Sequence, residues 1–133
     1  MFKRTALFFL LATSLSLANA KSSQPLVPFN AEADSREYLA LCNAGPRATP
    51  ALCKCSLNVI RDVSRKEFAE TIGLMMLGSR ARRGLIASPS REEMINKYGF
   101  NDSKIDAFAE RSLKIMETNR EQCWHLARKQ NSR

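Results

Sequence analysis

Hydrophobic residues recur every three to four positions over most of the chain after residue 30, and this spacing is typical of amphipathic helices. No segment shows the sustained alternation of a half-buried strand, and valine is scarce. The pattern therefore predicts an all-α domain, a compact bundle of four or five helices. The helical spacing is found in Tyr38–Cys42, Leu52–Val63, Phe68–Leu77, Met94–Tyr98 and Ile105–Leu126.

Capping signals divide this pattern into separate helices. Thr49-Pro50 is typical of a helix start, because the hydroxyl accepts a backbone hydrogen bond and proline suits the first helical position. The segments 64–67 and 90–93 each read Ser-x-x-Glu, the spacing of a capping box. Gly45-Pro46 and Gly99 favour helix ends. We expect one helix to begin after each box, the earlier one running from about Arg65 into the region 80–83.

The first and last helices are bounded less sharply. The first is expected to begin near Asp34-Ser35, and the last, capped by Asn101 or Asp102, to extend to about Arg128. One continuous stripe along the last helix is expected to face the core. Its members are Ile105, Phe108, Ala109, Ser112, Met116, Asn119, Cys123 and Leu126.

The first twenty residues have the three parts of a secretory signal peptide. A basic start at Lys3-Arg4 precedes an uncharged segment from Thr5 to Ala18, and Ala18-Asn19-Ala20 is a small-x-small cleavage site. The uncharged segment is shorter than the ~20 residues that span a bilayer, which argues against a membrane anchor. We therefore expect cleavage after Ala20, with the bacterial periplasm as the destination and release from the cell as the alternative.

The remaining chain has room for one domain with a modest core. We expect a signal peptide over residues 1–20, a flexible leader with two prolines over 21–31, a helical domain over 32–128 and a frayed end over 129–133. There are no internal repeats and no interdomain linker. After cleavage, no transmembrane anchor is expected.

The charge of the chain is positive. Its formal net charge is +8, and removal of Lys3 and Arg4 with the signal peptide lowers it by two, to +6. This charge favours encounters with an acidic protein or another anionic component of the cell envelope. Nucleic acid is not an expected partner, because an exported protein rarely meets it and no basic surface with interleaved aromatic residues is present.

Four cysteines, an even number in an oxidising compartment, predict two disulfides. Cys53 and Cys55 are two positions apart on a helix and point in nearly opposite directions, so they should not pair with each other. Two connectivities remain, Cys42–Cys53 with Cys55–Cys123 or Cys42–Cys55 with Cys53–Cys123. Cys53 lies on the stripe of core residues and Cys123 lies on the apolar stripe of the last helix, which favours the second connectivity.

The sequence gives little support for a catalytic site or a metal site. The cysteines, Met75, Met76 and the single histidine, His125, contain soft ligand atoms, but their spacing matches no paired Cys-x-x-Cys zinc pattern. No nucleophile motif or phosphate-binding glycine loop occurs, and His125 has no evident carboxylate partner. Paired glutamates are explained as helix caps. We therefore expect no enzyme activity, no metal site and no cofactor.

Two features are candidates for contact with a partner. Arg80, Arg82 and Arg83 form the densest basic cluster, although cations also stabilise a helix C-terminus. Trp124 is the only tryptophan and follows Cys123, and tryptophan and arginine are enriched among residues that dominate binding energy. These four residues are the predicted partner-binding positions.

The layout, a signal peptide before a helical bundle with Cys-x-Cys and a distant fourth cysteine, resembles small periplasmic helical proteins such as immunity proteins and acid-stress chaperones. The resemblance is architectural and implies no residue roles. The sequence leads us to expect a non-catalytic protein-binding protein: an inhibitor, an immunity protein or an accessory of an envelope or secretion complex. The alternatives are a periplasmic stress chaperone and, behind it, a soft-metal carrier or small enzyme.

Overall fold

The structure, a computed structural model, describes residues 29–129. This part of the chain is all-helical and contains no strand. The predicted signal peptide, most of the predicted leader and residues 130–133 lie outside it. No helix within residues 29–129 has both the length and the apolar character needed to cross a membrane. The helices are α1 (Ala31–Asn43), α2 (Pro50–Ser64), α3 (Phe68–Arg82), α4 (Arg91–Tyr98) and α5 (Asp102–Gln122), with short 3₁₀ turns at Arg65–Glu67 and Trp124–Leu126.

Most of the predicted helix starts are confirmed. Thr49 caps α2 by accepting a hydrogen bond from the backbone of Leu52, with Pro50 as the first helical residue. Ser90 and Glu93 form both hydrogen bonds of a capping box at the start of α4. Asn101, the first of the two predicted caps, begins α5. Gly99 ends α4 in the left-handed conformation that glycine adopts at low cost.

α1 begins three residues before the predicted start. The side chain of Asn30 accepts a hydrogen bond from the backbone N–H of Ala33 at 3.0 Å, so the helix begins at Ala31. The residue before this cap, Phe29, packs against α3 at Gly73 and stacks on Tyr98, with ring centroids 5.6 Å apart. The last residues of the predicted leader therefore belong to the folded domain.

The predicted capping box at Ser64 is wrong. Ser64 has helical backbone angles, makes no capping hydrogen bond and is the last residue of α2. The chain turns one residue later, at Arg65, which has a φ of +47°. A capping serine needs an extended backbone, and Ser64 does not have it because it is still a helical residue of α2. Its buried hydroxyl has no hydrogen-bond partner within the described residues.

The disulfides are Cys42–Cys53 and Cys55–Cys123. The sequence correctly excluded a Cys53–Cys55 bond, but the preference for Cys53–Cys123 is wrong. Both Cys53 and Cys123 are buried, as expected, but each forms its disulfide with a different cysteine. α2 lies between α1 and α5, so Cys53 meets Cys42 on α1 while Cys55, on the opposite side of α2, meets Cys123 at the end of α5.

The stripe predicted to bury α5 is wrong at three positions. Ile105 and Met116 are 44% and 61% exposed and Ala109 is also exposed, whereas Ile115, which lay outside the prediction, is buried. α5 turns its buried side towards α2, where the Ser56 hydroxyl donates to Asn119 at 2.6 Å. This rotation leaves part of the apolar surface of α5 facing solvent.

The buried residues form two clusters. The larger cluster, beside both disulfides, joins α1, α2, the first half of α3 and the second half of α5 around Ile60 and Ile72. The smaller cluster consists of Leu74, Leu77 and Phe100, with α4 packed against it. No disulfide joins the elements around the smaller cluster, and the candidate site lies there.

Candidate protein-binding surface

An apolar groove lies where the short α4 stands beside the second half of α3 and the start of α5. Its volume is ≈ 370 Å³, within the range of about 300–1,000 Å³ that is typical of ligand pockets. The polar groups at the groove are Arg91, Asn101 and Asp102, and the Arg91 guanidinium donates to Asp102 at 3.1 Å. The apolar lining includes Leu74, Leu77, Met94, Phe100, Ile105 and Phe108.

Local sequence features open this groove. The capping box at Ser90 and the left-handed Gly99 hold α4 to eight residues, so it covers only part of the smaller cluster. On α3, Gly78 lines the groove without a side chain. A Cβ on Gly78 would meet only the guanidinium of Arg82, at 3.7 Å. The backbone of α3 at this point therefore leaves room for a group from another molecule.

A second cavity of ≈ 600 Å³ lies beside the groove and is also lined by Leu74, Gly78 and Phe108. Its lining is more polar and includes Arg82 and Tyr38. Burial raises the pKa of the Tyr38 hydroxyl, and its hydrogen bond with Ser56 acts in the opposite direction. This phenol is therefore neutral at physiological pH, and among the described residues Arg82 is the one charged side chain in the lining of this cavity.

The groove continues into an exposed apolar stripe on α5. Ile105 lines the groove, and Ala109, Leu113 and Met116 follow it within an arc of about 80° of the helix. Leu113 and Met116 are 62% and 61% exposed. A contiguous apolar surface of this kind on a small domain is typical of a contact site for another molecule. Together, the groove and the stripe are called the α4–α5 surface below.

The predicted basic cluster is largely neutralised within the molecule. Arg80 donates to Asp34 at 2.7 Å and to Glu37, and Arg83 donates to Glu37 at 2.8 Å. The hydrogen bond from Arg80 is the main reason that the pKa of Glu37 is lowered, and the same bond raises the pKa of Arg80. Only Arg82 of the three has no ion pair among the described residues, and it is exposed.

The structure does not bring Trp124 together with the basic cluster. Trp124 is 51% exposed and lies in the 3₁₀ turn after the Cys55–Cys123 disulfide. This end of the chain is held on the α1–α2 connection, because Thr49 donates to the carbonyl of Leu126 at 2.7 Å. Trp124 is thus a fixed, exposed aromatic residue at the opposite end of α5 from the groove.

The groups considered for chemistry are separated or already bonded. All four cysteine sulfurs are in disulfides, so the thiolates that a soft-metal site needs are not present. Among residues 29–129 no three His, Cys, Asp or Glu side chains are grouped to hold a metal ion. His125 is exposed, and Glu70 faces the Arg111 guanidinium at 3.4 Å.

The α4–α5 surface was missed by the sequence analysis. A signal for it was present, because Leu113 on one side of the predicted stripe and Ile115 on the other widen the apolar arc of α5 to about 160°, beyond what one buried face requires. The groove itself has no local signal, since α3, α4 and α5 meet there only in the fold. Comparisons of the chain with protein-family models, with curated proteins and with solved structures each gave no match.

Proposed function

We propose that the protein is a non-catalytic binding protein of the periplasm that holds one protein partner, as an inhibitor, an immunity protein or an envelope or secretion accessory. The observation that carries this proposal is the apolar groove between α3, α4 and α5 and its continuation along α5. A half-open groove with few polar groups can bind a helix or loop of another protein through two or three apolar side chains.

The dimensions of the surface favour a partner helix. Ile105, Ala109, Leu113 and Met116 present apolar atoms over three turns of α5, a length of about 16 Å. An amphipathic helix laid beside α5 would place its own i, i+3 and i+7 side chains along this length. The residue that enters the groove would be the anchor, because a fully desolvated pocket concentrates binding energy.

Two of the four partner-binding residues predicted from the sequence keep that proposed role. Trp124 and Arg82 are exposed, and no ion pair within the described residues neutralises Arg82. Arg80 and Arg83 direct their charge towards α1, so a partner would have to compete with Glu37 for them. Arg82 lines the second cavity beside the groove, and Trp124 lies beyond the C-terminal end of α5.

The periplasm remains the proposed location. The predicted signal peptide and the two disulfides support it. Structural disulfides form and persist in oxidising compartments such as the periplasm.

The test is a capture of the tagged mature protein from the periplasm of its own host, with a variant that adds a side chain at Gly78, on the wall that the groove shares with the second cavity. Gly78→Met places a flexible side chain where a Cβ has only the Arg82 guanidinium nearby, while Gly78→Ala leaves the groove open. Both changes favour the helix by about 1 kcal/mol, so neither should unfold the domain. We expect one near-stoichiometric partner that is retained by Gly78→Ala and lost from Gly78→Met. Equal retention by both variants would refute the role of the groove.

A stress chaperone is the second candidate, and one observation favours it. Both disulfides lie beside the larger cluster, so the elements around the smaller cluster can loosen while the rest stays folded. Many weak partners that increase in number at acid pH, with a parallel loss of near-ultraviolet circular dichroism, would favour a chaperone over a binder of one partner. Stoichiometric copper or zinc in protein purified from the periplasm without chelator would instead favour a metal carrier.

A further inference from the structure

The apolar stripe of α5 is bordered along one side by a row of carboxylates. Asp106, Glu110, Glu117 and Glu121 are all exposed, and they lie within an arc of about 60° beside the arc of Ile105, Ala109, Leu113 and Met116. An element that covers the stripe therefore also meets this acidic row. On the other side of the stripe, α5 turns into the domain.

The charges of this row are not balanced within the domain. None of the four carboxylates forms an ion pair among the described residues, whereas Asp34, Glu37, Glu70 and Asp102 all do. Two cations lie near the row: Lys114 at its outer edge and Arg120 at the C-terminal end of the stripe. The local charge beside the stripe is therefore negative, in a chain whose formal net charge is positive.

We propose, on the basis of the binding function above, that the partner segment is an amphipathic helix whose apolar face is flanked by lysine or arginine. Opposite charges at the edge of an apolar contact select the partner and fix its register, and like charges there are costly. Net charge steers the approach of molecules from a distance. Once the helices are in contact, the adjacent row of carboxylates has the greater effect, since screening removes interactions beyond about 8–10 Å.

The same charges argue against a second copy of the chain as the occupant. A two-fold antiparallel pairing of two α5 helices places each side of the stripe against the same side of its partner. The acidic rows would then face each other, with Asp106 of one copy near Glu117 of the next. Like-charge contacts of this kind oppose association, so a helix with a basic flank suits the surface better.

The test uses two synthetic helical peptides with the same leucine stripe, one flanked by lysine and one by glutamate. Binding of each fluorescein-labelled peptide to the mature protein is measured by fluorescence anisotropy at about 0.1 M salt, where the screening length is about 10 Å. Overall charge favours the glutamate peptide, and the acidic row favours the lysine peptide. We expect the lysine peptide to bind about tenfold more tightly, because two or more exposed ion pairs each change the affinity by up to about fivefold.

Matched variants show whether the acidic row causes the preference. Glu110→Gln with Glu117→Gln neutralises the middle of the row, and Glu32→Gln with Glu67→Gln removes the same charge from exposed positions on other elements. The proposal requires that the first pair abolishes the preference for lysine, that the second pair keeps it, and that salt reduces it. An unchanged preference in the first pair overturns the proposal.

The outcomes separate this proposal from the function on which it rests. If the glutamate peptide binds as well or better, and Gly78→Met or Met116→Lys weakens it, the apolar docking site stands and the inferred basic flank is wrong. If neither peptide binds the wild-type protein, the docking site itself is refuted, and the inference about its partner falls with it.

Discussion

Gly73 is the point at which the segment before α1 is packed onto α3. A Cβ at this position would lie 2.1 Å from Cδ1, 2.5 Å from Cγ and 2.9 Å from Cβ of Phe29. All three distances are far inside van der Waals contact, and the last involves Cβ, which no rotation of the side chain can move away. Gly73→Ala must therefore displace the whole Phe29 side chain, which also breaks its stacking on Tyr98.

Opposing effects determine how much Gly73→Ala changes the stability of the protein. Overpacking a filled site costs about 1–3 kcal/mol, and the lost aromatic stacking costs about 0.5–1.5 kcal/mol. Against these losses, alanine is favoured over glycine within a helix by about 1 kcal/mol. We expect Gly73→Ala to destabilise the wild-type protein by about 1–3 kcal/mol. In a Phe29→Ala background the obstruction is gone, and the same substitution should stabilise the protein by about 1 kcal/mol.

Urea unfolding of the wild-type protein, both single variants and the double variant measures this reversal of sign as a double-mutant cycle. The disulfides stay intact in all four proteins, so the unfolded state is the same apart from the two positions. Stabilisation by Gly73→Ala in the wild-type background would show that Phe29 does not pack on α3. An equal effect in both backgrounds would show that the two residues are not coupled.

Four further predictions concern the two disulfides, a buried hydroxyl and an ion pair. Replacing Cys55 and Cys123 by alanine should lower the free energy of unfolding, measured in urea, by about 4.4 kcal/mol, and replacing Cys42 and Cys53 should lower it by about 3 kcal/mol. The first bond contributes more because it joins residues 68 positions apart, against 11 for the second, and a longer closed loop removes more entropy from the unfolded chain. A non-reducing tryptic map, in which cleavage after Lys54 separates the two middle cysteines, should link Cys53 to Cys42; a link to Cys123 would refute the pairing. Thr71→Val should stabilise the protein by about 1 kcal/mol, since Thr71 is fully buried and its hydroxyl has no hydrogen-bond partner among the described residues; a lower urea midpoint would contradict this. The hydrogen bond from Arg80 lowers the pKa of Glu37 from its ordinary value of 4.5. The Glu37 carboxylate therefore stabilises the folded protein above about pH 4.5, and this stabilisation is lost as the pH falls through the lower folded-state pKa. The difference in stability between wild type and Glu37→Gln should therefore shrink in acid, and a gap that persists at pH 2 would show that the carboxylate charge is not its source.

The disulfides illustrate how far local reasoning extends. Helical rotation places Cys53 and Cys55 on opposite sides of α2, and this alone correctly excludes their pairing. The same rotation cannot say which side of α2 faces α1 and which faces α5. That assignment depends on the path of the chain through the α1–α2 connection and back along α5, so the choice between Cys42 and Cys123 had no local basis.

The helix caps show the same distinction between what local sequence determines and what the fold determines. Thr49, Ser90 and Asn101 were correctly identified because a cap needs only its own side chain and the next turn of backbone. Ser64 has an equally good local sequence, yet it keeps helical backbone angles as the last residue of α2. Its hydroxyl is buried without a hydrogen-bond partner among the described residues, so the local capping pattern does not determine this helix boundary.

The sequence by itself determined the helices, most of their caps and the presence of two disulfides, because periodicity, capping and cysteine parity are local or compositional properties. Tertiary structure decided which cysteines pair, which side of α5 is buried, and that Arg80 and Arg83 are neutralised by α1. It also created the groove, whose walls come from three helices that are distant in the chain. The physical reason is that a helix specifies the direction of its side chains, whereas the groups that they meet depend on how the helices pack.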